Sequence, residues 1–269
     1  MPFAHGDGYD IYFEVRGEGP PVLCPNGWGI ITGDGHVRLP ERLREEFTTI
    51  VYDHRGLGRS SDIEASATTA DYGRDAALVA EAAGFSRMHV YGHGGLGACL
   101  SQHLAAQRPD LVDRLVLVSG WAGPDTYKQA QSMVWQRLFD LEGLAAFRQW
   151  GALLIYTPEY YNEHEAEILS EAGSWGEFTE SIAALRKVQT ATIAHHARDV
   201  LPLVQSETLV VHGELDVIDP PRLGREIASL IPRALLKVVP AAPHAIRTVP
   251  ESFRYLGDLV ADFFHAAAA

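Results

Sequence analysis

The stretch from Met88 to Gln107 constrains this chain more than any other. A short apolar run, Met88 to Tyr91, leads into Gly92-His93-Gly94-Gly95-Leu96-Gly97, and an alanine- and leucine-rich helical pattern runs from Ala98 to Gln107. A strand that turns directly into a helix must reverse sharply, and small residues let the backbone do so while one apical position points outward. In enzymes with a G-x-S-x-G turn that apical side chain is the nucleophile. Here the apex holds glycine, which tolerates the backbone strain and has nothing to attack with. Chemistry at this turn must therefore proceed without an acyl-enzyme. Counting forward from Gly92-His93 puts the apex at Gly94, and counting back from LGACLSQ puts it at Gly95. The second count is preferred, because it leaves Leu96-Gly97 as the residue-then-glycine pair that follows an apex. Cys99 and Ser101 lie on the helix, more than a turn beyond it, and do not substitute.

The rest of the chain repeats the alternation. Runs at Tyr9–Val15, Pro21–Pro25, Thr48–Asp53, Arg114–Ser119, Thr208–His212 and Leu235–Val239 predict strands. Helical patterns at 39–46, Ala70–Ala83, after Pro220-Pro221 and at Pro250–Phe264 fall between or after them. Such alternation, with continuously apolar strands, predicts an α/β class: a mostly parallel sheet with helices on both faces. Between Trp121 and about Leu201 the alternation stops. Helices are expected there at Thr126–Phe139, Leu144–Leu154, Glu159–Ala172 and Phe178–His195, with turn signals at Gly143, Pro158 and Gly173-Ser174. The predicted organisation is a core of residues 1–121 and 202–269 with an inserted helical cap, 122–201. At 269 residues and 46% hydrophobic, one core of this size can be filled.

Charge and composition narrow the function classes. With 22 basic and 35 acidic residues, the net charge of −13 disfavours nucleic acid and anionic membranes as partners. No apolar segment approaches membrane-spanning length, the first residues lack a basic stretch followed by an apolar run, and a cytoplasmic location is expected. The two cysteines, Cys24 and Cys99, sit in apolar contexts and read as buried thiols. No cofactor is expected: the glycines at 92–97 lack the following lysine and serine or threonine of a phosphate loop, and no spacing resembles a metal site. His195 and His196 are adjacent, so on a helix they point about 100° apart and share no face. The aromatic helical insertion leaves a homodimer open.

Two further residues complete a catalytic order. Asp216 lies four residues past a predicted strand, and His244 follows the last one, giving apex, acid and histidine in sequence. In a parallel sheet all three positions lie beyond the carboxyl ends of strands, where distant residues converge. Asp216 would hold His244 in one tautomer and stabilise its imidazolium, making it a general base. Backbone amides of Leu96 and of Trp28, which is flanked by Gly27 and Gly29, are candidates for an oxyanion hole. Trp121, Tyr156 and one of His195 and His196 are candidates for contacting a small-molecule substrate, and His93 is expected to pack below the site.

On these residues the chain resembles an α/β-hydrolase over nearly its whole length, through DHRGLGRSS (53–61), GHGGLGA (92–98), GELD (213–216) and PH (243–244). It is most similar to the enol-lactonase and aminoacrylate (carbamate) hydrolase group, through VLVSGW (116–121), LLIYTPEY (153–160) and LRKVQTATIAHHA (185–197). In the aminoacrylate branch the turn can read GHALGA, so loss of the serine has a precedent there. The resemblance implies a cofactor-free enzyme in which the Asp216–His244 pair activates water on a small activated carbonyl compound of the enol lactone, carbamate or enamine type. Three alternatives stay open: a lyase, cyclase or dehydratase using His244 as base, a non-catalytic small-molecule binder, and a hydrolase inactivated by exchange of serine for glycine.

Overall fold

The computed structural model describes residues 2–27, 29–62, 66–170 and 182–266. Its centre is an eight-stranded sheet in the order β1-β2-β4-β3-β5-β6-β7-β8. β3 (Pro21–Leu23), β4 (Thr48–Tyr52), β5 (Met88–His93), β6 (Val112–Val118), β7 (Glu207–Gly213) and β8 (Ala234–Val239) run parallel. β1 (Phe3–His5) and β2 (Asp10–Arg16) add an antiparallel edge. The mostly parallel α/β sheet is the one the sequence predicts. β1 is not, because three residues are too few to show a period.

Successive residues of the central strands enter different cores, which is why those strands are apolar throughout. Leu23, Ile50, Val90, Leu115, Leu117 and Val210 join one cluster, which also takes Ala76 and Val79 of α3 (Thr69–Ala82), Leu104 of α4 (Leu96–Gln107) and Ile227 of α8 (Pro221–Leu230). Val22, Cys24, Val51, Tyr91, Val116, Val118 and Val211 join the other, with Leu43 of α2 (Glu41–Glu46) and Leu256 and Phe264 of α9 (Pro250–His265). Local chemistry fixes the helix starts. Thr68 and Asp71 form a reciprocal capping box on α3, and Pro221 and Pro250 open α8 and α9, where a missing N–H costs nothing. α1 (Thr32–Val37) escapes the sequence reading because it is one and a half turns containing two glycines.

Between β6 and β7 come α5 (Thr126–Ile155), α6 (Pro158–Leu169) and α7 (Ile182–Ile193), with no strand among the described residues. The two helices expected at Thr126–Phe139 and Leu144–Leu154 form one run broken at Gly143, whose φ of 82° and ψ of −176° only glycine adopts readily. Asp125 caps α5 by accepting from the Lys128 amide, and Thr157 caps α6. The start of the helix expected from Phe178, the end of the one expected to reach Ala172 and the Gly173-Ser174 turn lie outside the described residues. No helix among the described residues is long and apolar enough to cross a membrane. Cys24 and Cys99 are buried free thiols, Cys24 inside the second core and Cys99 packed with Trp121 and Leu223.

Candidate active site

The carboxyl ends of β5 to β8 open onto one cavity of about 210 Å³. Gly94 and Gly95 reach it from β5, Ser119 and Trp121 from β6, Asp219 from the loop after β7, and His244 from the loop after β8. His244 Nδ1 lies 2.9 Å from Asp216 Oδ2, with the carboxylate buried and the imidazole facing the cavity. Since Asp216 can only accept while ionised, Nδ1 donates, and Nε2 keeps its lone pair. Three more donors hold the acid: Ser119 Oγ at 3.1 Å from Oδ2, and the amides of Ile218 and Asp219 at 2.9 and 2.8 Å from Oδ1. Ser119 does this from a φ of 56°, a left-handed conformation rarely taken by a residue with a side chain.

The electrostatics follow from that geometry. Burial works against charge on both groups, but their mutual attraction outweighs it. The Asp216 carboxyl is held below the usual aspartate range by the His244 charge and the donated hydrogen bonds. His244 is raised above the usual histidine value despite its burial, chiefly by Asp216, with Asp219 adding to the effect. Such a pair stays ionised on the acid and basic on the imidazole, which is what proton removal from water requires.

The turn itself has the shape the sequence demands. Gly95 caps α4 with φ 67° and ψ −89°, and Leu96 opens the helix, so the Leu96 amide is among those with no acceptor inside α4. A Cβ on Gly95 would meet nothing nearer than Trp121 at 3.5 Å, whereas one on Gly94 would sit 3.2 Å from Gly27 Cα. The open side of the turn is therefore at Gly95. Trp28, the other expected amide donor, lies outside the described residues.

A model of the alpha/beta hydrolase fold matches residues 20–246. The chain belongs to this family. Its relatives include a protein of Azorhizobium caulinodans named carbamate hydrolase RutD, 31% identical over 255 residues that cover 94% of this chain and 95% of that one. A protein of the same name in Caulobacter is 29% identical over 90% of this chain and 92% of the relative. Among solved structures, an α/β-hydrolase enzyme from a deep-sea metagenome library of the Medee basin superposes with a TM-score of 0.85 at 22% identity, covering 99% of this chain and 98% of that one. The enol-lactonase of Burkholderia xenovorans does so with 0.82 at 21% identity, covering 98% and 100%. The chain is an enzyme of the α/β-hydrolase group.

Other expected residues of this α/β-hydrolase divide cleanly. Trp121 and Tyr156 line the cavity, as does Trp135, whereas Trp150 is half-exposed on α5. His195 and His196 do not line it. His195 is buried behind Trp121, its Nε2 donating to Trp121 O at 3.0 Å and its Nδ1 accepting from Thr69 Oγ1 at 2.8 Å. Burial without a countercharge pushes it down to about 3, and it is a neutral structural residue. His196 is exposed, and both histidines lie past the end of α7 at Ile193 rather than on the helix expected to reach His195. His93, expected below the site, is part of the cavity wall, tied to Asn26 Oδ1 at 3.0 Å and pushed by burial down to about 4.

Five wall or support residues have no signal in the sequence reading. Ser119 ends a strand like any other serine, and Asp219 reads as a turn former before Pro220. Lys128 is one polar residue in a long helix. Arg38 ends α1, paired with Asp34, and Arg247 stands exposed three residues past His244, yet both line the cavity. Only the fold brings positions 38, 119, 128, 219 and 247 to one place.

Proposed function

We propose that this enzyme is a small-molecule hydrolase in which the His244–Asp216 pair activates water, with no protein nucleophile at Gly95. The observation that carries the reading is the retained pair: a buried, fourfold hydrogen-bonded acid orients an imidazole whose free nitrogen faces a cavity, opposite a turn with no side chain. Maintaining a buried carboxylate is costly unless it is used or compensated. In this reading Gly95 marks the nucleophile position, the space above it holds the attacking water, and the Leu96 amide donates to the substrate carbonyl oxygen on which negative charge develops. Residues 122–201 act as a cap that closes the cavity with Trp135 and Tyr156.

A base and an oxyanion donor without covalent catalysis still provide on the order of a thousandfold acceleration over water. That suits an activated substrate of the carbamate, enol lactone or enamine type, and the carbamate hydrolase name of the relatives supports the same class. The cavity charge agrees. In the cavity wall Lys128 and Asp219 offset each other, Arg38 is paired with Asp34, and Arg247 adds a positive charge, which favours an anionic substrate at that end. Arg247→Gln is expected to raise KM about tenfold with kcat nearly unchanged, the signature of lost uniform binding. Steady-state kinetics check this; an unchanged KM removes Arg247 from the substrate contacts.

The pH dependence tests the base. The active form has neutral imidazole, so kcat/KM rises with pH and is lost as pH falls through the His244 pKa. Because that pKa is raised, the midpoint lies above the usual histidine value of about 6.5. A rate that is flat from acid to neutral pH contradicts general-base catalysis by His244.

A further inference from the structure

Lys128 is an almost fully buried lysine on α5, 6% exposed, within the helical segment that follows β6. Its ammonium has three donors, and each has an acceptor: Asp219 Oδ1 at 2.7 Å, Ile218 O at 3.2 Å and Gln131 Oε1 at 3.2 Å. The same charge stands 4.3 Å from the centroid of the Trp121 ring. With every N–H engaged inside the protein, Lys128 has none left for a substrate. Two of its three acceptors belong to residues 218 and 219, whose amides donate to Asp216 Oδ1. Asp219 is itself buried and has its other oxygen, Oδ2, 3.8 Å from His244 Nδ1. Two carboxylates thus compete for one imidazole N–H, and only Asp216, at 2.9 Å, is in hydrogen-bonding range.

We propose that Lys128 is a positioning residue for the catalytic pair: from α5 it neutralises Asp219 and pins the 216–219 loop, so that Asp216 is the single acid that orients His244. The inference rests on the hydrolase reading above for its catalytic meaning, and it adds that α5 is electrostatically joined to the site.

The charged and titratable groups around His244 include Asp216, Asp219, Lys128 and the buried His212, and the shared cavity wall adds His93, Arg247 and the Asp34-paired Arg38. Their signs make the test specific. Asp219→Asn removes a negative charge and leaves Lys128, so the His244 titration moves down by about one pH unit; Lys128→Met leaves Asp219 uncompensated, and the titration moves up. In the double variant K128M/D219N the titration returns close to that of the unmodified protein. The readout is the NMR titration of histidine-labelled protein, with His244 assigned by comparison with His244→Gln, alongside the acid limb of the pH–rate profile. A lysine that is only a structural strut lowers stability and rate in both single variants without opposite shifts. Shifts in the same direction, or none, overturn the proposal. Should neither single variant fold, mutual neutralisation requires that the double variant fold and titrate normally; a double variant that also fails makes the pair structural and overturns it. If His244 shifts as expected but no form of the protein hydrolyses any carbamate, enol lactone or enamine, the hydrolase reading fails and the electrostatic one stands.

Discussion

His244→Ala lowers kcat/KM by about 10²–10⁴-fold, the contribution typical of a positioned general base, while the protein stays folded. The expectation follows from the division of labour in the cavity. Nε2 of His244 carries the available lone pair, and no other imidazole among the cavity-lining residues can replace it: His93 is tied to Asn26 and held neutral by its burial. Asp216→Asn should cost a similar order, because an amide there can present its NH₂ group to Nδ1 and stabilise the wrong tautomer. Removal of His244 should also relax Asp216, whose low pKa depends on the imidazolium charge. Circular dichroism and a thermal melt establish folding, and initial rates on an activated carbamate or enol ester give the loss. A His244→Ala rate within threefold of the parent would remove this residue from the mechanism.

Gly97→Ala is expected to destabilise the fold by about 1–3 kcal/mol through overpacking. A Cβ at this position in α4 would lie 2.2 Å from Pro25 O and 2.9 Å from Asn26 O. Both obstacles are backbone, and both are engaged: Pro25 O accepts from the His93 amide and Asn26 O from His54 Nε2. Neither can yield without moving the end of β3 or the start of α4. For a chain of this size about 2–4 °C of Tm is lost per kcal/mol, so a melt should show a fall of several degrees. The displacement also reaches Gly27, which packs so closely on the turn that a Cβ there would lie 2.7 Å from the Gly94 carbonyl oxygen, and activity should fall with stability. A Tm equal to that of the parent would mean that the helix start is free to shift.

These two predictions draw on different kinds of information. The Gly92–Gly97 turn, Asp216 and His244 are legible in the sequence because each follows an apolar strand run, and chain order alone suggests that they converge. The strand and helix alternation is legible for the same reason, since burial on both faces leaves a run such as Arg114–Ser119 unmistakable. Short elements are not: β1 and α1 have too few residues for a period. His195 shows the limit of reading a side chain without its neighbours. Beside His196 at the end of an expected helix it suggests a ligand-facing residue, and only the packing shows its two nitrogens satisfied by Thr69 and Trp121. Lys128 and Asp219 are 91 positions apart in the chain. Nothing local marks either one, because their pairing is created by how α5 settles on the loop after β7.

The central claim is that water, not a protein atom, attacks the substrate. A single turnover in heavy-oxygen water, with enzyme in excess and both product and intact protein followed by mass spectrometry, tests it most directly. The account predicts one solvent oxygen in the product of that first turnover and a protein mass that never changes. A covalent adduct on the protein, or a first-turnover product whose new oxygen is unlabelled, would contradict it.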